Sequence, residues 1–169
     1  MKRYLLALCV LAVALGADAA DDAIAVQWPL PSLSQFLIDH AADDVQRANG
    51  QVGLGIPSVL VINGYGALVA VSSPELLSVQ DLRRTPAGKG EALAAMLSQV
   101  VDGEALAGQL DRRRPTIVLL TIDAEQCVAC AAAPHQVQRV IAREGRPWNR
   151  VHATASAEPH AAAADTAMQ

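Results

Sequence analysis

The sequence predicts a single α/β domain, and three stretches carry that prediction. Ile117 to Ile122 is an unbroken apolar run, too hydrophobic to leave one face in water, which is how a central strand covered on both faces reads. Ile56 to Ile62 and Ala67 to Val71 are two further apolar runs around Asn63-Gly64-Tyr65-Gly66, the pattern of an antiparallel hairpin. Segments with apolar residues at helical spacing flank these runs, at 33–45, at 91–101 and from the cysteines at 127 and 130 to Glu144.

Before those elements comes a targeting segment. Lys2 and Arg3 supply the charge, Tyr4 to Leu15 form an apolar stretch of signal-peptide length, and Ala17-Asp18-Ala19 gives the small-x-small cleavage pattern. Residues 1–19 therefore read as a signal peptide, and a mature chain starting at Ala20 has no stable membrane span. Cys9 falls inside the apolar stretch behind Leu8, which does not fit a lipoprotein cleavage site. The formal charge of −4 becomes about −5 once Lys2, Arg3 and Asp18 are removed, and no basic patch alternates with aromatics, so nucleic acid is not an expected partner. With 52% hydrophobic but only 3% aromatic residues, the core is expected to be packed with Val, Leu, Ile and Ala.

Along the mature chain, residues 20–31 read as an irregular lead-in, because Pro29 and Pro31 interrupt regular structure. Ser32-Leu33-Ser34-Gln35 has the form of a capping box, and Leu33, Phe36, Leu37, His40, Ala41 and Val45 follow on one helical face up to the Asn49-Gly50 stop signal. His40 reads as a core or boundary residue. Pro57 lacks an amide hydrogen and so belongs at the start of the first hairpin strand. Residues 72–87 read as loop. Gly88-Lys89-Gly90 lacks the upstream glycine and the Ser/Thr of a phosphate loop, which excludes nucleotide binding there. Glu91 to Val101 reads as a helix closed by Asp102-Gly103, Glu104 to Leu110 as a shorter one, and Arg112 to Arg114 as a basic turn into the central strand. The last helix ends at Gly145-Arg146-Pro147, Trp148 to Ala153 reads as one more strand, and 155–169 as a disordered tail behind a domain spanning 32–154.

The chemistry sits at Cys127-Val128-Ala129-Cys130, between the central strand and its helix. Strand, turn, C-x-x-C and helix in that order is the arrangement of a thiol–disulfide site. Three residues apart at a helix start, two sulfurs share one face of the first turn and can bond. Cys127 falls among the unpaired amides at the positive end of the helix dipole, which favours a thiolate there, while Cys130 lies one turn inside as the more buried thiol. A purely structural staple is the alternative, but closing so short a loop contributes roughly 2 kcal/mol, against about 4.7 kcal/mol for a 100-residue loop. After signal removal Cys127 and Cys130 are the only cysteines, as suits an oxidising compartment, the periplasm if the source is a Gram-negative bacterium.

Two pieces resemble the thioredoxin superfamily. One is the strand–C-x-x-C–helix unit with Pro134 a turn after the second cysteine. The other is Gly55-Ile56-Pro57-Ser58-Val59-Leu60-Val61-Ile62 with Gly66 and Leu68-Val69, similar to that family's segment of proline, apolar strand, glycine turn and strand. The resemblance implies a three-layer sandwich in which Cys127 is the nucleophile, Cys130 the resolving thiol and Pro57 a cis-proline. The backbone of Ile56 and Pro57 would dock the substrate as an added strand, and the disulfide itself would serve in place of any cofactor. Here Pro57 precedes Cys127, the reverse of the usual order. Moving the last three elements to the front restores that order, so the expected architecture is circularly permuted. Gln126 stands where the family carries Trp, and Thr121 where it carries a buried acid six residues before the first cysteine.

The function implied is an exported thiol–disulfide oxidoreductase whose partners are protein thiols and disulfides. The carboxylates of Asp123 and Glu125 just before the pair oppose a thiolate at Cys127, which favours a reductant or carrier over a strong oxidant. Two alternatives stay open. The same thiols with His135 or His152 could bind and deliver a soft metal such as copper, or the domain could be a non-catalytic binding module. Attachment of c-type haem is disfavoured because Ala131, not His, follows Cys130.

Overall fold

The computed structural model describes residues 22–49, 55–85 and 90–157. The signal peptide read at 1–19, Gly50 of the first helix stop, Gly88-Lys89 and the part of the tail beyond Ala157 lie outside the described residues.

Five strands form one mixed sheet: β1 (Ile24–Pro29), β2 (Ser58–Ile62), β3 (Leu68–Ser72), β4 (Thr116–Thr121) and β5 (Asn149–Ser156). Their order across the sheet is β1-β5-β4-β2-β3. β1, β5 and β4 are parallel, β2 runs antiparallel to β4, and β3 returns antiparallel to β2. The apolar run read as a central strand is central: all six residues of β4 and all five of β2 are buried. The hairpin also forms as its sequence pattern requires. Asn63 Oδ1 accepts from the amides of Tyr65 and Ala67, and Gly66 takes φ = 82°, a left-handed conformation natural to glycine.

Five helices among the described residues cover both faces, making three layers. Helices α1 (Leu30–Asn49), α3 (Ala92–Gln99) and α4 (Gly103–Gln109) lie on one side, and α2 (Val79–Leu82) and α5 (Val128–Glu144) on the other. On the first side Leu33, Phe36, Met96 and Leu106 pack against Trp28, Leu60, Ile62, Val118, Leu120 and Val151. On the second, Leu82, Ala133, Val137 and Ile141 pack against Val59, Val61, Ile117 and Leu119. Burying each Val or Ile side chain fully is worth about 1.5–3 kcal/mol, so the second layer accounts for the position of α5. Aliphatic residues dominate both layers, yet Trp28 and Phe36 sit at the centre of the first, edge to face at 5.0 Å. His40 stacks on Phe36 at 4.9 Å, at the boundary of that layer.

The pattern at 20–31 predicts an irregular lead-in, whereas the structure has β1 and the start of α1 there. Neither proline prevents it. Pro29 is the last residue of an edge strand, and Pro31 lies in the first turn of α1, where no amide is needed for the helix ladder. Because α1 begins at Leu30, Ser32 and Gln35 fall inside it, and no capping box forms; Gln35 Nε2 donates to Asp39 Oδ1 instead. A capping box does occur within the stretch read as loop, where Ser78 and Asp81 cap α2 reciprocally. At the other end β5 continues to Ser156, past the expected start of the tail, because β1 pairs with it up to that residue.

Candidate functional site

The chain leaves β4 at Thr121, makes one 3-10 turn at Ala124–Gln126 and enters α5 with Cys127 as the N-cap residue. Cys127 has extended backbone (φ −142°, ψ 91°), as an N-cap does, and its Sγ accepts from the Cys130 amide at 3.2 Å. The two sulfurs form a disulfide, with Cα atoms 5.3 Å apart. No acidic residue occupies the first turn of α5. Asp123 and Glu125 lie in the preceding turn, exposed, with Asp123 Oδ1 accepting from the Glu125 amide.

Both half-cystines are buried, Cys127 at 8% exposure and Cys130 at 6%. Cys130 is the more buried of the two, as expected, though by a small margin. Val128 between them is 93% exposed, an apolar side chain standing in solvent beside the disulfide. Pro134 lies inside α5 one turn beyond Cys130; with no amide hydrogen it leaves the Cys130 carbonyl without its usual helical partner.

Pro57 comes to the same end of the sheet. Ser58 pairs with Leu120 across antiparallel strands, so the preceding residue falls level with Thr121, where β4 exits toward the cysteines. Strand alternation sends Val59 and Val61 to the α5 face and Leu60 and Ile62 to the other. Just before β2, Ile56 packs with the opposite layer. The Ile56–Pro57 peptide is cis, and Ser58 Oγ donates to the Gly55 carbonyl at this corner. The β2–β4 register therefore brings Pro57 to the end of the sheet from which β4 leads to Cys127 and Cys130.

The two histidines considered as soft-metal ligands part company. His135 is exposed on α5, whereas His152 is half-buried on β5, with Nε2 2.9 Å from Thr121 Oγ1. Among the described residues no group of three or more His, Cys, Asp or Glu side chains is placed to hold a metal ion. Burial lowers the His152 pKa below its ordinary 6.5, so the imidazole is neutral at pH 7. It borders a cleft of about 140 Å³ between α5 and the sheet, walled by Leu119, Pro134, Val137 and Gln138.

Other buried polar residues hold the frame of the site. At the far end of α5, burial alone would raise the Glu144 pKa, but hydrogen bonds from Trp148 Nε1, the Arg146 amide and the Arg146 guanidinium outweigh it and leave the carboxyl below its ordinary 4.5. Asn149 accepts from the Asp111 amide and donates to the Asp111 and Arg114 carbonyls, pinning the turn that feeds β4. Sequence reasoning passes over Glu144 and Asn149 because a polar residue at a helix or strand end is ordinary; only their neighbours show them to be buried. Comparisons with protein-family models, with curated proteins and with solved structures find no match.

Proposed function

We propose that this chain is an exported thiol–disulfide oxidoreductase of permuted thioredoxin-like architecture, with Cys127 and Cys130 as its redox pair. The observation that carries the reading is the Cys127–Cys130 disulfide at the N-terminus of α5, directly after the central strand. The strand order supports the architecture. Taking β4, α5 and β5 ahead of α1, β2 and β3 gives strand, helix, strand, helix, strand, strand, followed by the three helices α2, α3 and α4, and β1 adds an edge strand beyond β5. The position of Pro57 at the end of the sheet from which β4 leads to the cysteines supports substrate docking along Ile56 and Pro57. Export rests on the leader pattern of residues 1–19.

In this mechanism the reduced Cys127 sulfur, favoured as a thiolate by the first-turn amides of α5, attacks one sulfur of a partner disulfide. The partner's S–S bond breaks, its other sulfur leaves with the electron pair, and Cys127 is left in a mixed disulfide. Cys130 then displaces the partner and closes the internal disulfide. The acidic residues Asp123 and Glu125 beside the pair favour a reductant or carrier over a strong oxidant.

The burial of both half-cystines favours a second reading, a non-catalytic binding domain with an inert disulfide. An insulin-reduction assay separates the two. The redox reading expects dithiol-driven turnover that is lost in Cys127→Ser. Absence of turnover, with a disulfide that stays closed in native protein under excess dithiol, selects the binding domain.

A further inference from the structure

At the end of the sheet opposite the cysteines, the β2–β3 turn, α3, the end of α4 and the basic turn before β4 border a groove of about 440 Å³. Register fixes its place. Ile62, the last residue of β2, pairs with Thr116, the first of β4, whereas the chain turns toward the cysteines only after Thr121. Five strand steps, about 16 Å, separate the two ends. Leu93 and Leu97 of α3, one helical turn apart, line the groove together with Ala107 and Leu110 of α4.

Backbone bonds set these walls in place. The Leu93 amide donates to the Gly66 carbonyl at 3.0 Å, which ties α3 to the hairpin. Asn149 holds Asp111 and Arg114 at the basic turn. That turn lies against the hairpin tip, since a Cβ placed on Gly64 would come 4.0 Å from the Arg113 carbonyl oxygen. A pre-formed apolar concavity of this volume with a few polar groups at its edge has the build of a small-molecule site. Twelve residues line it, fewer than the roughly 20–30 a side of a standard protein interface, which argues against a protein partner there.

Two rim residues indicate what fits. Apart from Tyr4, the aromatic side chains are Trp28, Phe36, Tyr65 and Trp148. The other three are buried, and Tyr65 is 69% exposed at the hairpin tip, a place where Gly, Asn and Asp are the usual residues. Arg112 is exposed and also lines the groove. Within the basic turn Arg114 is bonded to Asp111 Oδ2 at 3.0 Å, but no side chain among the described residues pairs with the guanidinium of Arg112 or Arg113. Asp111, the acid in the lining, is engaged by Arg114 and by the Arg113 amide. An apolar trough with an unpaired guanidinium at its edge, in a chain of net charge −4, complements an apolar body carrying one carboxylate. Arginine can hold that group through two parallel N–H···O bonds.

We propose that this groove binds a medium-chain aliphatic carboxylate, with its chain along Leu93, Leu97 and Leu110, its carboxylate on Arg112 and the Tyr65 ring over the chain at the rim. The site is independent of the redox reading, because it shares no residue with the cysteine end and needs no electron transfer.

The test is titration of the protein with sodium octanoate, followed by backbone-amide NMR, with 1-octanol as the neutral counterpart. Octanoate should give saturable shifts at 64–66, 90–97 and 107–112 and none at 127–130. Octanol should bind about tenfold or more weakly, because it cannot make the charge-assisted pair. Arg112→Gln should bring octanoate down to the affinity of octanol and leave octanol where it was. Since the Arg112 side chain holds nothing else in the fold, this variant should keep the parent's thermal midpoint. Ala94→Trp, a large side chain at an exposed lining position of α3, should abolish binding of both. The proposal is overturned if octanoate gives no saturable shift up to about 5 mM, or if the shifts fall elsewhere. It is equally overturned if octanol binds as tightly as octanoate or if Arg112→Gln binds octanoate like the parent. Cys127→Ser should bind octanoate unchanged, so this result and the insulin assay are decided separately.

Discussion

Glu144 is the clearest case of one residue whose cost and benefit can be weighed. Its side chain is 2% exposed, which by itself disfavours the carboxylate, yet it accepts from Trp148 and twice from Arg146 while Arg146 also donates to the Leu82 carbonyl and stacks over Trp148 at 5.6 Å. The network joins the end of α5 to α2. A carboxyl with its folded-state pKa below 4.5 stabilises the fold above that pH, and the contribution is lost as pH falls through the depressed value. His152 has the same sign: with its pKa below 6.5 when folded, the unfolded chain binds the proton first, so stability also declines as pH falls below 6.5. Urea midpoints measured from neutral pH downward should therefore fall in two stages. Glu144→Gln should lower the midpoint at pH 7 and flatten the acid stage; an unchanged acid stage contradicts this account of Glu144.

At the scale of elements, the unit of β4, turn and α5 is the most legible in sequence, because each part repeats one physical demand. The apolar run has no polar face, the cysteine pair marks the helix start, and Gly145, at φ = 83°, closes α5 as a left-handed cap should. The hairpin is legible for the same reason. β1 is not, since proline at 29 and 31 is a sound argument against an interior strand and no argument against an edge strand running into a helix. The pairing of Thr121 with His152 is invisible for another reason: 31 residues separate them, and only the β4–β5 register brings them together. One substitution separates frame from site. Leu120 is fully buried in the layer beneath α1 and α3, on the face of β4 away from α5. Leu120→Ala should cost about 2–5 kcal/mol of unfolding free energy. In the folded protein it should leave the reduction potential of the cysteine pair unchanged, and a shifted potential would show that the two faces of β4 are coupled.

For the whole molecule, the sheet order β1-β5-β4-β2-β3 relates segments that lie far apart in the sequence. Cys127 and Pro57 lie 70 positions apart in the reverse of the thioredoxin arrangement, yet antiparallel pairing of β2 with β4 returns both to one end of the sheet. No helix among the described residues is long and apolar enough to cross a membrane. Contact with partners is expected at the shared end, where Val128 stands exposed. The redox function proposed for the chain depends on the disulfide there opening and closing in the folded state. Its reduction potential, measured by equilibration of native protein with thiol buffers of graded poise, is the most direct test. A reductant or carrier predicts a reversible two-electron transition nearer to about −270 mV than to about −120 mV. A transition near the latter value would make the protein a strong oxidant, and a disulfide that never opens short of unfolding would contradict the redox reading altogether.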